Sequence, residues 1–539
     1  MSVILFTGQS GISVRECLKR LSRQVDPQPR IISVEEKMTE ISGKSFPREI
    51  LLENISYQYE LWKDAFNQIY NLVSDLDETI FLTLHGVYYH QDKREFVSPI
   101  DLELIVKLKG KVRMLIDFID DIYDVYRRLM ANGQMYSFVI RELEPLEALY
   151  TSIFNLISIL EWRQIEITIS RLIARVLDIP MYIVATKHPI SMIAKLINIP
   201  MEDLSIFYLA HPISSVRKDA MEQLPNFVGE LNWFAKTVMD LKNTILFLPG
   251  TIDELIIKKK NDTYLPELLP RWPLPDGKES WISPPLPKAL EDINPLNPLN
   301  YNIASSSEVK MSVSYLLKLL CECISVQITS RDLSLVEQSK NGVIAYRPYF
   351  PYKLSGGIRR ELEHNYRLYE KESSRRSIIL SVLEDKGKAR IKRFFTLVEK
   401  LIENLDETTK QRLQEKCDEW ICQSTIIKLF SNDAVLKEES TLTSLRKELE
   451  KILPPDYNFQ LPRDFLFNET SLPPGYIGQR ERDRRAGFQY AVDTCLKDPL
   501  KDYLISERNY LEFSSPDEIN HVDISKIILK NQNKQKEVK

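Results

Sequence analysis

Two acids and a glycine turn give the stretch Arg331–Leu362, RDLSLVEQSKNGVIAYRPYFPYKLSGGIRREL, the residue types for chemistry. Asp332 stands at the start of RDLSLVEQS, whose spacing predicts a short amphipathic helix. NGVIAYRP is an apolar run between a turn signal and a proline, which predicts a buried strand. SGGIRRELEHNYRLYEK opens a second helix on Ser355, Gly356 and Gly357, and Glu361 falls about a turn and a half inside it. Glu361 is then close to the strand's carboxyl end, the edge where open α/β sheets bind ligands. A carboxylate there stabilises or captures a developing cation, and a helix N-terminus holds a phosphate. A second constellation lies at the other end of the chain. The apolar run SVILFTG leads into Gly8-Gln9-Ser10-Gly11-Ile12-Ser13 and then the helix VRECLKRLSRQ. Strand, glycine turn, helix is the geometry that cradles phosphates on backbone N–H groups.

The first stretch resembles the nucleoside 2-deoxyribosyltransferase superfamily, which includes the 2'-deoxynucleoside 5'-phosphate N-hydrolases. The matching residues are Asp332, the strand Val343–Tyr346, Ser355, Gly357, Ile358, Glu361 and Leu362. The resemblance continues upstream in SIFYLAHPISSVRKDA, which is similar to the family's first strand and loop. It implies Glu361 as nucleophile at the anomeric carbon and Asp332 as a holder of sugar or base. It implies a substrate pocket of Tyr208, His211, Ser214, Arg217, Ser355, Gly356 and Gly357. His211 stands where the family has a glycine, so this loop approaches a ligand differently.

The N-terminal element resembles the P-loop of nucleoside and nucleotide kinases, with Gly8, Gln9, Ser10, Gly11 and Ser13 in the loop. The match is incomplete. Val14 falls at the phosphate-binding Lys, and Arg15 at the Ser or Thr that would hold magnesium. Asp117, Asp120 and Asp121 follow the apolar run of KVRMLIDFIDDIYD, and an apolar strand ending in acid is where such folds keep a magnesium-ordering Asp.

The elements that must position these residues follow an α/β order. PRIISVEEKM, TIFLTLHGVYY, KVRMLIDFIDDIYD and MYIVATKHPI read as further strands, with a long helix over 47–76 and helical stretches at 122–132 and 144–178. Arg163 and Arg171 on the last of these are either lid-like cations or solvated. NTILFLPGTIDEL and SIILSVLED supply strands to the second unit. The expected map is a degenerate P-loop kinase-like domain over 1–200, then a Rossmann-like, deoxyribosyltransferase-like α/β domain over 204–390 with an insertion at 258–305. A mostly helical region follows over 391–525, and a disordered tail over 526–539. Residues 266–298 carry nine of the chain's 29 prolines, which excludes a regular core element there. KARIKRFFTLVEKLIENL places Ile391, Phe394, Phe395, Val398, Leu401 and Ile402 on one helical face.

Composition narrows the classes. The chain has 539 residues, 43% hydrophobic and 27% charged, with a net charge of −4, so it makes no global case for nucleic acid or anionic membrane. No uninterrupted apolar run reaches about 18 residues, and MSVILFTGQSG lacks a basic leader. The six cysteines are scattered and without histidines at ligand spacing, which predicts reduced thiols, no metal site and a cytoplasmic setting. No cofactor is fixed by these residues; a magnesium nucleotide at the N-terminal domain is the one candidate. The expected partners are a nucleoside or nucleotide and a second copy of the chain. The leading expectation is an N-glycosidase or deoxyribosyltransferase. The alternatives are a nucleotide kinase or NTPase in the N-terminal domain with the second domain as sensor, and an inactive nucleotide-binding regulatory protein.

Overall fold

Residues Val3–Phe6 are fully buried, so this strand needs apolar side chains on both faces, as strands covered by helices on both sides do. It is the middle of a five-stranded sheet. In chain order the strands are β1 (Ser2–Gly8), β2 (Arg30–Ser33), β3 (Thr79–Thr83), β6 (Val112–Ile119) and β7 (Met181–Ala185), arranged β2-β3-β1-β6-β7. All four pairings are parallel, with Leu5 opposite Leu82 and Leu115. The chain leaves β1 toward β3 and β2 and returns on its other side to β6. A crevice therefore opens at the carboxyl edge around β1. Helices α1 (Val14–Ser22), α2 (Val34–Ser42), α3 (Ile55–Asp75), α4 (Leu102–Val106), α5 (Ile122–Ala131), α6 (Pro145–Leu177) and α7 (Ile190–Asn198) accompany the sheet. On one face Trp62 and Phe66 of α3 stack at 5.0 Å among Leu5, Met38 and Leu82.

The computed structural model describes residues 2–134, 145–214, 217, 227–272, 307–347, 355–382, 391–431, 438–453 and 510–513, apart from isolated positions in those ranges. The chain divides into two compact units. One holds Met1–Ile344 and Arg360–Arg376; the other holds Ala345–Arg359 and the described residues from Ser377 onward. Both sequence-derived spans, 1–200 and 204–390, contribute to the first unit.

The first unit continues with β8 (Ser205–Ala210), α8 (Phe227–Met239) and β9 (Thr244–Phe247), β8 and β9 running parallel with Ser205 opposite Thr244. Gly342–Ile344, the start of β12 (Gly342–Arg347), lies on the other side of β8, and Asn341 exchanges hydrogen bonds with both backbone groups of Ile206. A hairpin, β10 (Ile257–Lys260) and β11 (Thr263–Leu268), turns on Asn261 and Asp262, both left-handed. The insertion read over 258–305 therefore opens with regular structure; residues 273–306, Trp281 among them, lie outside the described residues. Helix α9 runs from Ser307 to Gln338, so RDLSLVEQS is its last part and not a separate helix. No Gly or Pro interrupts 307–338, and nothing local stops the helix. Within it Met311–Gln338 is long and apolar enough to cross a membrane; 28% of that segment's apolar window is buried.

Other boundaries differ for local reasons. PRIISVEEKM is a strand only to Ser33. Ser33 then caps α2 by accepting from the Glu36 amide, the S-x-x-E signature of a helix start. The run 47–76 begins with a single 3-10 turn at Ile50–Leu52, and the helix starts after Asn54 caps it. TIFLTLHGVYY breaks at His85-Gly86, and Tyr88–His90 (β4) pairs with Glu95–Val97 (β5).

In the second unit, Ile379–Val382 of β13 (Arg376–Val382) pairs in parallel with β14 (Tyr510–Phe513). Three helices, α11 (Glu407–Cys422), α12 (Ser424–Ser431) and α13 (Glu439–Glu450), surround an aromatic core. Trp420 stacks on Phe394 at 5.9 Å and meets Phe395 edge-on at 5.1 Å. Ile391, Phe394, Phe395, Val398 and Ile402 are all buried there; Leu401 lies outside the described residues. The basic stretch GQRERDRRAG and the tail also lie outside them.

Candidate functional site

A cavity of about 270 Å³ lies at the carboxyl ends of β1, β2 and β3. Gly8, Ser33, Thr83 and His85 line it at the strand ends, Arg15, Glu16 and Lys19 from α1, Glu35 and Glu36 from α2, and Ile31 and Phe46 on an apolar side. Ser13 precedes α1 without its hydroxyl capping the helix, so the first-turn amides keep no side-chain partner. Arg15 reaches Glu36 at 2.5 Å, an exposed pair. Phe46 lies 6.1 Å from the His85 ring and 5.3 Å from that of Tyr88.

The loop itself is held from below. Gly8 has φ +154°, and a Cβ there would stand 2.8 Å from the carbonyl oxygen of Phe118; Gly11 has φ +85°, and its Cβ would stand 2.7 Å from Leu129. Both glycines are thus demanded by packing on β6 and α5. Gln9 and Ser10 are buried, and Gln9 Oε1 and Ser10 Oγ have no partner among the described residues. The Ile12 amide donates to Gln9 O at 3.3 Å and the Val14 amide to Ile12 O at 2.8 Å. His85 Nδ1 donates to Gly8 O at 2.6 Å. Glu166 of α6 accepts from the amides of Gly8 (3.3 Å), Gly86 (2.7 Å) and Val87 (2.9 Å). Burial, then the neighbouring Asp117, pushes its pKa up to about 8 against these amides.

Asp117 lies within β6, not after it, and is fully buried. Neither of its oxygens meets a donor at hydrogen-bonding geometry among the described residues. Burial raises its pKa to about 7; the nearby Ser170 and Thr7 hydroxyls, 2.7 Å apart, oppose the rise. Asp120 accepts from the Asp121 amide and pairs with Arg128 at 2.5 Å. Arg163 is neither a lid cation nor solvated. It is buried against Glu254 at 2.7 and 3.0 Å and also donates to Asp120 O. Arg171 donates to Ser334 Oγ. Glu254 accepts from the Ile122 amide, and Arg271 pairs with Asp121 and Asp124. With Asp117 enclosed within β6, Asp120 paired with Arg128 and Arg15 in place of a hydroxyl, these residues do not fit a magnesium ion. Among the described residues no three His, Cys, Asp or Glu side chains form a metal-ligand group.

The other predicted residues gather partly. In the first unit Tyr208, Asp332 and Glu361 form one buried group. Glu361 lies on α10 (Gly356–Tyr369), and Tyr208 OH donates to Glu361 Oε1 at 3.1 Å while Oε2 has no partner among the described residues. Burial, then Asp332, raises the Glu361 pKa to about 8. Asp332 is held by Arg331 at 2.8 Å; burial raises its pKa and Arg331 opposes. Arg331 is itself fixed by the carbonyls of Ile252 and Pro249. His211 packs 5.2 Å from Trp272, and burial keeps it neutral with a pKa near 3. Arg217 pairs with Asp253, and Ser214 is exposed. Ser355, Gly356 and Gly357 belong to the second unit, where Ser355 Oγ accepts from the Ile358 amide as a helix cap and both glycines are exposed. Lys19, Phe46, His85 and Glu166 were not singled out from the sequence. Lys19 had a signal, one helical turn after Arg15; Glu166 stood out only as an acid in an apolar helix.

No family model matches the chain, and no curated protein matches it. Among solved structures the chain is similar to shikimate kinase from Bacteroides thetaiotaomicron, with 13% identity over 33% of this chain and 99% of that one, at a TM-score of 0.21. Nothing in these comparisons supports the deoxyribosyltransferase resemblance, and the functional reading rests on the geometry.

Proposed function

We propose that the first unit binds a phosphorylated small molecule of the nucleotide class in the cavity beside the Gly8–Ser13 loop, without transferring its phosphoryl group. The observation that carries this is the uncapped N-terminus of α1, with Arg15 and Lys19, on the wall of a cavity at the strands' carboxyl edge. The transfer machinery is what the site lacks. Val14 supplies no cation, and of the two acids at the end of β6 Asp117 is fully buried and Asp120 is paired with Arg128. Isothermal titration of the full chain with nucleoside mono- and triphosphates tests the reading. Binding weakened at least ten-fold by Arg15→Glu with Lys19→Glu is expected. Binding untouched by the double variant, or none with any nucleotide, overturns it. Sustained release of ADP from ATP overturns the second clause.

A second reading rests on Glu361. A buried, protonated carboxyl with one unpartnered oxygen, a phenol on the other and an aspartate beside it suits proton donation to the leaving base during N-glycosidic cleavage. Release of free base from nucleosides or nucleotides, lowered about 10²–10³-fold by Glu361→Gln, is the expected result. No base release from any nucleoside or nucleotide removes this reading.

A further inference from the structure

Helix α9 is tied into the first unit along one side. Gln327 and Ser334 bond to Arg163 and Arg171 of α6, and Gln338 takes both backbone groups of Ile183 in β7. Arg331 reaches the carbonyls of Pro249 and Ile252, and Tyr264 of β11 donates its amide to Ser314. Val313, Leu317, Leu320 and Ile324 are buried on that side. Another side carries Met311, Tyr315 and Val326, which are 71%, 67% and 69% exposed. They are three of the four most exposed large apolar side chains among the described residues. At about 100° per residue they fall within an arc of about 60°, so they form one stripe, about 22 Å long at about 1.5 Å per residue. A continuous apolar stripe, unlike scattered apolar residues, marks a surface that meets a partner. A bilayer does not suit it, although Met311–Gln338 is long and apolar enough to span one. Gln327, Arg331, Asp332 and Gln338 commit the same helix to polar partners within the protein. One exposed charge pair interrupts the stripe, Lys318 and Glu322, 3.8 Å apart.

We infer that this stripe is an interface with a second copy of the chain, the two α9 helices packing antiparallel about a two-fold axis at the level of Leu320. It is independent of both ligand readings above. The spacing of the charges selects a second copy. Lys318 and Glu322 stand two residues to either side of Leu320, so an axis there sets each Lys318 opposite Glu322 of the other copy. Tyr315 and Val326 stand five and six residues to either side, so the same axis lays each tyrosine on the other copy's valine. Met311 and Thr329, nine residues to either side, close the ends. A parallel pair would set lysine on lysine and glutamate on glutamate, which costs affinity. The central charges therefore choose the direction, and the apolar residues beside them supply the burial. A single helix pair is small beside the roughly 1,200–2,000 Å² of stable interfaces, so dissociation in the micromolar range is expected.

The experiment is sedimentation velocity of the full chain from about 1 to 100 µM. Wild type, Lys318→Glu, Glu322→Lys, the variant with both changes and an equal mixture of the two single variants are compared, each first shown to be folded by its melting curve. Wild type is expected to pass from monomer to dimer across that range. Each single variant sets like charges across the axis and should weaken the dimer ten-fold or more. The double variant opposes unlike charges again and should dimerise as wild type does, which separates the interface from the charge pair within one helix. The two single variants, mixed, should pair with each other although neither pairs with itself. Wild type that stays monomeric throughout overturns the inference. A dimer that both single variants keep places the contact elsewhere and overturns it as well. Monomeric wild type that floats with phosphatidylcholine vesicles gives the stripe to a lipid surface, and the inference falls.

Discussion

Tyr208 donates its phenolic proton to Glu361 across 3.1 Å, joining residues 153 positions apart, and the carboxyl's other oxygen is left with no partner among the described residues. A carboxyl in that setting stays protonated to about pH 8, against an ordinary value of 4.5. Between those values the unfolded chain has released its proton and the folded chain has not. Stability from this group is therefore present below 4.5 and falls as pH rises toward 8. Glu361→Gln carries no such dependence. It should match wild type near pH 5 and exceed it at pH 8, by an amount on the order of a few kcal/mol, in urea denaturation. A variant less stable than wild type at pH 8 would show that the carboxylate is ionised and held by a cation.

The opposite slope comes from His188 and His211, each pushed down to about 3 by burial from an ordinary 6.5. Below pH 6.5 the unfolded chain takes up protons that the folded chain refuses, so stability falls as pH drops from 6.5 toward 3. His188 Nε2 accepts from the Leu248 amide, which a glutamine oxygen can also do. His188→Gln should flatten the acid limb of a melting-temperature profile and leave the limb above pH 7 unchanged. An unaltered acid limb would show that His188 does not set it.

Arg163 and Glu254 are a fully enclosed ion pair, 5% and 1% exposed at their side chains. Arg163, joined by Arg331 and the Ile122 amide, more than offsets the cost of burying Glu254, whose pKa lies below the ordinary value despite burial. Arg163→Met leaves a buried carboxylate alone and should cost about 3–5 kcal/mol, as should Glu254→Ala. Replacing both with apolar residues should cost much less than the sum. Additive losses in a double-mutant cycle would mean the two side chains act separately.

Gly11→Ala combines a left-handed backbone with a Cβ 2.7 Å from Leu129. About 1–3 kcal/mol should be lost. Adding Leu129→Ala to this variant removes the collision but not the backbone strain, so the pair should lose less than the two singles together. Calorimetry of the four proteins decides it. Full additivity would place the glycine's importance in the loop's conformation alone.

The strands were legible because burial on both faces leaves an unmistakable apolar run, as in Val3–Phe6 and Ile206–Ala210. Boundaries were lost where a single polar residue redirects the chain. Ser33 ends a strand by capping a helix, and His85-Gly86 splits another. The glycine loop was visible as a pattern, yet its glycines answer to Phe118 and Leu129, which no local window contains. The same holds for Glu166, 158 residues from the amide of Gly8 that it holds, and for Glu254, 91 from Arg163. Such partners are chosen by the packing of α6. In sequence Glu166 looks like an ordinary charge on a helix, and Glu254 like an acid in a turn.

Two stripes of α6 do different work only a few residues apart. Trp162, Glu166 and Ser170, at intervals of four, bond to Val87 O, to the loop amides and to Thr7. Arg163 and Arg171, one residue further round, reach Glu254, Gln327 and Ser334. Each residue advances an α-helix by about 100°. One codon inserted or deleted between 163 and 166 would swing Glu166 and Ser170 to where a neighbouring face now points, while Trp162 and Arg163 stayed in place. This segment is therefore a ruler with two scales. Sequence drift along it should run through exchange of side chains and not through change of length, and length polymorphism should collect in the connections at its ends.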